Sequence, residues 1–476
     1  MLMIPPASHR WMAHGTVACA LWMGWGVGMA ARPVPAPLPS PSGTPSQCTE
    51  VAAASANKLD KATDKALAPL PPGATVDPIG QLQLLVRESA RRSAEVGAAK
   101  LLAEAADFDV GEVQGSKRPQ VTLYGNAGLG QTSITGRPDT RGFQGTAGVN
   151  VGASLYDGGR LNALLNWRQR LADAAKLGQG ATEERVALEA VNTALERHRF
   201  RMQAQIYQQY VRKMGCLVEA LEQIVAEDKG RASELVQARK SQQQAEIQRE
   251  QAISTTRQFD IRLRKLVGEQ LILGEGFSTP LMATPNLDDV QRLVERSSDL
   301  QQMLVEVDAQ QNYAQAVASG SKPQINWTMG KTISRLPGST TNAMSVGVQA
   351  NWSIYNGGSQ ESATKAALKR AEAARQSYQE ALNSKLSRVA EQHDAAVSAF
   401  DRARRSADVL KDSDRVRNYT FQQWAQLGRR SLFDVMSAEG DHFAQRVAYI
   451  NALVDGAQAN ANLRSQGVGL LQWMGQ

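Results

Sequence analysis

The sequence predicts a mainly α-helical protein with a smaller β portion, built from two tandem copies of one unit in which a β-hairpin feeds long helices. Three observations carry that expectation. Two blocks of residues recur about 199 positions apart, and internal duplication marks a repeated architectural unit. Prolines are confined to a few places, with none between Pro138 and Pro280 and none after Pro337. Each proline-bracketed block alternates apolar and polar residues, the period of a half-buried strand.

Taken in order, the chain opens with His9 and Arg10 ahead of an apolar stretch, Val17 to Ala31, that closes on the small residues Gly28, Ala30 and Ala31. This pattern predicts a secretory signal peptide over residues 1–30. The apolar run is too short for a membrane-spanning helix. Cys19 sits inside the run and not at its end, which speaks against a lipoprotein cysteine. Residues 31–76 are a Pro/Ala-rich leader containing Pro33, Pro35, Pro37, Pro39, Pro41 and Pro45, an extended composition. The rest divides into a first repeat, 77–276, and a second, 277–476.

The β-hairpins are expected at 119–156 and 323–355. Phe143, Ala147, Val149, Val151, Ala153 and Leu155 alternate with polar residues in the first block. Met344, Val346, Val348, Ala350, Trp352 and Ile354 do so in the second. Partner strands are expected at Val121–Leu129 and Ile325–Ile333, joined through loops Thr135–Gly142 and Ser334–Asn342. The blocks match residue by residue. Lys117-x-Pro119-Gln120-Val121 recurs as Lys322-Pro323-Gln324-Ile325 with one residue fewer. Leu155-Tyr156-Asp157-Gly158-Gly159 recurs as Ile354-Tyr355-Asn356-Gly357-Gly358. The glycine pairs Gly158, Gly159, Gly357 and Gly358 permit the reversal from strand to helix.

Proline costs ~3 kcal/mol inside a helix, so the proline-free spans predict long helices. From Gly159 to about Glu227 the chain could extend roughly 100 Å at the α-helical rise. Its apolar residues, among them Leu164, Leu171, Val186, Val191, Leu195 and Ile206, form a thin stripe suited to lateral coiled-coil packing and not to a globular core.

Four strands from one chain leave two open edges, and a bilayer tolerates no unpaired edge. If these strands cross a membrane, several chains must share one closed barrel. The second strand of each block exceeds the ~9–11 residues such a crossing needs. Tyr156, Trp352 and Tyr355 stand near the strand ends, where interfacial aromatics belong.

The net charge of +7 comes from basic residues interleaved with acidic ones along helical segments, a solvated helix face and not a nucleic-acid patch. His198, His393 and His442 have no ligand-like neighbours, so neither a metal nor another cofactor is expected. Cys48 and Cys216 would survive signal cleavage. An oxidising compartment permits their pairing, yet two cysteines make no disulfide framework. No nucleophile–base pair or phosphate loop is present, and no catalysis is expected.

The duplicated hairpin with Tyr-Asp-Gly-Gly and Tyr-Asn-Gly-Gly at its exits resembles the TolC family of outer-membrane channel proteins. Gly428-Arg429-Arg430-Ser431-Leu432-Phe433-Asp434-Val435-Met436-Ser437-Ala438 is similar to that family's helical-hairpin turn, Gly-x-Arg-Thr-x-x-Asp-Val-x-x-Ala. The first copy, Arg231 to Arg239, is looser, with Glu234 at the acidic position. The resemblance implies a homotrimer in the bacterial outer membrane, with four strands per protomer in a shared twelve-stranded barrel and a long periplasmic α-helical barrel. It implies a periplasmic gate in which Asp434 is the ring aspartate, Arg430 a bridge-forming arginine and Glu234 the first-copy counterpart. Ser437 stands where the family has a second ring aspartate.

The implied partners are a periplasmic adaptor (membrane fusion) protein, an inner-membrane ABC or proton-driven transporter, the exported substrate and outer-membrane lipid. The implied work is passive conduction through a tripartite export system, the inner helices untwisting to open the duct. The long leader and divergent gate favour type I secretion of a protein toxin. Drug or metal efflux is the alternative, and a soluble periplasmic coiled-coil adaptor a third reading. Taken without the resemblance, Arg430 and Asp434 would be an ordinary surface pair at helical spacing, worth ~0.3–0.5 kcal/mol.

Overall fold

The computed structural model describes residues 77–475, apart from 134, 136–138, 270–273, 275 and 468. The signal peptide, the leader and Cys48 lie outside the described residues. Two short helices come first, α1 (Pro78–Arg92) and α2 (Ala94–Ser116). Asp77 caps α1 from just before Pro78, the first-turn position proline favours. Ser93 ends α1 and caps α2 through the Val96 amide, so one polar residue divides what would otherwise be a single helix.

The first hairpin follows, β1 (Gln120–Thr132) and β2 (Thr140–Tyr156). It leads into α3 (Arg160–Glu227), a helix of 68 residues, or about 100 Å. The chain turns at Asp228 into α4 (Ala232–Val267). The second half repeats this order: α5 (Leu287–Val294), α6 (Ser298–Ala318), β3 (Gln324–Leu336), β4 (Ser339–Asn351), α7 (Ser359–Ala425), α8 (Leu432–Gln466) and a final turn, α9 (Leu470–Gly475). No described helix is long and apolar enough to cross a membrane.

The stripe that buries α3 is made largely of alanine: Ala187, Ala190, Ala194 and Ala204 are fully buried beside Val191 and Leu195. Alanine lets long helices approach closely with little side-chain entropy lost. Two larger apolar clusters sit on this framework. One, at mid-length, joins α1, α3, α4, α8 and α9 around Leu82, Leu85, Leu195, Leu281 and Leu470. The other, near the far end of the helices, joins Met214, Leu217 and Leu221 of α3, Leu235 of α4, Trp424 of α7, and Leu432 and Val435 of α8.

The four strands make one antiparallel sheet in the order β1-β2-β3-β4, so β1 and β4 are open edges. Both second-hairpin boundaries differ from the sequence expectation. The loop expected over Ser334–Asn342 is only Pro337–Gly338, because Leu336 already pairs with Ser339. Gly338 sits at φ +81, the conformation a proline–glycine turn requires at its second position. At the other end β4 stops at Asn351, whose partner is Gln324. Pro323, which precedes that partner, has no amide to extend the ladder. Trp352, Ile354 and Tyr355 therefore lie beyond the strand. β2, paired on both sides, reaches Tyr156 across an irregularity opposite Ile325.

Candidate export duct: the sheet and the helical tip

The strand registers divide the sheet into two chemically opposite faces. Val121 and Leu123 of β1 lie beside Val151 and Val149 of β2, then Met329 of β3 and Val346 of β4. The opposite face carries Thr122, Asn126, Thr146, Asn150, Thr328, Ser334, Ser345 and Gln349. There Tyr124 Oη lies 2.8 Å from Thr332 Oγ1, and Thr146 Oγ1 lies 3.1 Å from Ser334 Oγ. The apolar face has nothing packed on it: Leu123 is 81% exposed and Leu129 87%. Such a face is untenable in water and is the form a lipid-facing barrel wall takes.

At each exit two glycines take left-handed backbone in succession, Gly158 and Gly159 at φ +67 and +86, Gly357 and Gly358 at +68 and +81. Asp157 accepts from the Gly159 amide at 2.9 Å, and Asn356 from the Gln360 amide at 3.3 Å. Lys322, from the start of the second hairpin, donates to the Gly158 carbonyl at 3.0 Å. Of the three aromatics expected at the membrane interface, Tyr156 ends β2 half-exposed. Trp352 donates to the Ser321 carbonyl at 3.1 Å, and Tyr355 is almost wholly exposed. Trp327, on the apolar face opposite Ala153 and Val348, is a fourth aromatic at this level. The alternation in β3 could have singled it out.

At the far end, Gly428 at φ +60 turns the chain out of α7, and Arg430 Nε donates to Gln423 Oε1 at 3.1 Å. Ser431 and Asp434 form a reciprocal cap on α8. The Asp434 amide donates to Ser431 Oγ at 3.2 Å, and the Ser431 amide donates to Asp434 Oδ2 at 3.0 Å. Those contacts, the Ser431 amide first and Arg430 last, hold the exposed Asp434 carboxyl below its ordinary pKa. Arg430 precedes the cap and lies outside α8, so it and Asp434 are not the helical-spacing pair the sequence offered. In the first copy Glu234 sits in the opening turn of α4, half-buried, with Oε2 lacking a hydrogen bond, and Arg231 before it offers no side-chain cap.

Sequence reasoning missed a buried charge just above this tip. Glu439 of α8 is 1% exposed, with Lys213 of α3 at 3.5 Å and Arg417 of α7 at 3.7 Å. Burial pushes its carboxyl up in pKa, against the pull of the two cations. One turn on, burial, followed by Arg417 and Arg446, pushes the His442 imidazole down. Ser413 Oγ lies 3.4 Å from its Nδ1. Nothing in a run of Ser437, Ala438, Glu439 and Gly440 marks the glutamate as buried.

The chain matches the outer membrane efflux protein family over residues 85–269 and 290–466, one segment in each half. It belongs to that family. No curated protein matches it in sequence. Among solved structures it is similar to VceC from Vibrio cholerae, at 16% identity over 82% of this chain and 97% of that one, with a TM-score of 0.72. It is also similar to the CmeC outer membrane channel of Campylobacter jejuni, at 13% identity over 85% and 91%, TM-score 0.72. The open state of the Neisseria gonorrhoeae MtrE channel gives 16% over 82% and 89%, TM-score 0.69. The fold is thus that of the TolC-like channels. As an outer membrane efflux protein it resides in the outer membrane, with its helices in the periplasm, which removes the soluble-adaptor reading.

Proposed function

We propose that three copies of this chain pair β4 of one with β1 of the next, closing three four-stranded sheets into one twelve-stranded barrel. The helices continue it as a periplasmic duct. The carrying observation is a sheet with two open edges, one bare apolar face and one polar face; closure of the barrel satisfies all three at once. Tyr156, Trp352 and Tyr355 would then sit at the periplasmic interface of the membrane. Conduction is passive: an inner-membrane ABC or proton-driven transporter and a periplasmic adaptor deliver substrate at the helical tips. Asp434, Arg430 and Glu234 line the gate there.

The test is the mature protein in outer-membrane fractions and planar bilayers. Heat-modifiable trimers that conduct are expected, and recovery as a soluble periplasmic monomer would overturn the reading. At the gate, Asp434→Asn keeps an acceptor for the Ser431 amide while removing charge, so it separates gating from capping. Raised single-channel conductance is expected, and unchanged conductance removes Asp434 from the gate.

For the cargo, the long leader and the single acidic position at the second tip favour an unfolded protein exported by type I secretion. The family's designation as efflux proteins favours small drugs or metals. Deleting the gene decides between them: a protein lost from the culture supernatant supports the first, and increased drug or metal sensitivity with unchanged secretion supports the second.

A further inference from the structure

The apolar face of the sheet is not uniform. Towards the turns Gly125, Ala127, Gly145 and Ala147 occupy neighbouring positions of β1 and β2, with Ile333 and Arg335 beside them on β3. They surround a shallow open depression of about 430 Å³. Arg141 of β2 and Lys331 of β3 stand on this same face, as the registers Gln131–Arg141 and Val149–Lys331 require. All three cations are exposed, and the four strands contain no Asp or Glu. The nearby Asp139, in the first turn, is engaged by Gln131 and Ser133.

A cation on a lipid-facing strand is costly unless its head reaches a polar layer or an anion. The strands supply no carboxylate on this wall, so where these heads reach the outer polar layer the anions they meet come from outside the sheet. Lys331 and Arg335 are two pleats apart, roughly 13 Å along the strand, and the depression lies against Arg335. An apolar slot flanked by a ladder of cations matches an amphiphile with an acyl chain and more than one phosphate. The turns lie at the end of the sheet away from the helices, hence at the outer leaflet.

We propose that this face binds a phosphorylated glycolipid of the outer leaflet. One acyl chain lies in the depression over Gly125 and Gly145, phosphates engage Arg335 and Arg141 at its outer end, and Lys331 borders its inner end. Guanidinium groups suit phosphate because they donate two parallel hydrogen bonds. The proposal rests on the barrel reading, which turns this face towards lipid.

The test uses the full mature trimer, delipidated and placed in nanodiscs, titrated with lipid A, with dephosphorylated lipid A and with phosphatidylglycerol. Lipid A is expected to bind the most tightly. Exchanging all three cations (R141Q, K331Q and R335Q together) is expected to weaken it by about tenfold or more. Gly145→Leu keeps the charges and fills the slot. A Cβ there meets only ordinary contacts, the nearest at 3.6 Å, so this variant is expected to fold and to weaken binding several-fold. Lipid A affinity unchanged in both variants would overturn the proposal, as would phosphatidylglycerol binding equally well. Heat-modifiability and conductance of the wild type are measured first. Their absence would sink the barrel reading, whereas intact conducting trimers with cation-independent lipid binding would sink this inference alone.

Discussion

At the strand-to-helix exits the two copies of the repeat are nearly superimposable in backbone, Gly158 and Gly159 at φ +67 and +86 against Gly357 and Gly358 at +68 and +81. At the opposite end the copies have parted. The second copy closes its turn with the reciprocal Ser431–Asp434 cap. The first places Arg231 and Glu234 at the equivalent positions and leaves Glu234 Oε2 without a hydrogen bond. The exits are constrained by geometry alone, since only glycine takes successive left-handed conformations cheaply. The tips carry no such backbone constraint, and on the proposed function they meet partners and cargo, so each copy was free to change there. The strands differ in another way: β2 is interior, while β4 is an edge left open among the described residues.

The largest effect expected follows from that last contrast. Val346→Arg puts a charge in the middle of β4, opposite Met329 and on the face proposed to meet lipid, at a cost of ~2–4 kcal/mol per protomer near the membrane midplane. Loss of heat-resistant trimers on unheated gels is expected. Ser345→Arg, one residue earlier but facing the polar side, is expected to leave the trimers intact. Equal behaviour of the two variants would break the assignment of faces.

The exits give the next largest effect, and they are not quite equal. A Cβ on Gly158 would meet the Lys322 side chain at 2.6 Å, while nothing lies within 4 Å of one on Gly357. Alanine at either position carries the left-handed strain of ~1–2 kcal/mol, and at Gly158 it also displaces Lys322. Gly158→Ala is therefore expected to lower the thermal midpoint more than Gly357→Ala. Lys322→Gly, which removes the Cβ that makes this contact, should recover part of the Gly158 loss and none of the Gly357 loss.

Most of this architecture was legible in the sequence because periodicity and proline placement act locally. The long helix read from Gly159 to about Glu227 is Arg160–Glu227, and the glycine exits are where the motif put them. The misreadings came from pairing, which is not local. Ser334 and Asn342 looked like loop residues, yet each has a strand opposite it. Trp352 and Ile354 kept the alternation after their partner strand had run out. At the tip, Gly428 to Ala438 read as a turn motif, but the capping of Asp434 depends on Ser431 adopting extended backbone. The burial of Glu439 depends on Lys213, more than two hundred residues away in sequence.

The tips themselves supply a smaller effect of opposite sign in the two copies. Ser431→Ala removes a side-chain cap and is expected to cost about 1 kcal/mol. Arg231→Ser would create the Ser-x-x-Glu pattern with Glu234 that the first copy lacks. Arg231 has φ −91 and ψ 7 where Ser431 has the extended −80 and 158. The backbone must therefore relax, and the gain should be only a few tenths of a kcal/mol. Chemical denaturation of the two variants in detergent checks both signs, and destabilisation by Arg231→Ser would show that the first tip is built on other terms.

The smallest expected effect lies where the copies meet, at Glu439, whose neighbours are Lys213 from the first copy and Arg417 from the second. Its pKa is raised in the folded protein by burial. Its contribution to stability is therefore full below the ordinary glutamate value and lost as pH rises through the raised one. His442 runs the other way. Burial and the neighbouring Arg417 and Arg446 lower its pKa, so its contribution is present above the ordinary histidine value and is lost as pH falls towards the lowered one. Acidification should thus first loosen the tip through His442, and then tighten it through Glu439. Glu439→Gln keeps the side-chain shape, removes a buried carboxylate and leaves Arg417 with Asp414 at 2.6 Å and Lys213 part-exposed. At neutral pH it therefore leaves no cation buried and unpaired and should change stability little. It should abolish the gain at low pH, while His442→Gln should abolish the loss that sets in below the ordinary histidine value. Thermal midpoints of the two variants across pH 4–8 separate the contributions, and parallel wild-type and Glu439→Gln curves would mean that Lys213 and Arg417 already keep the carboxylate charged.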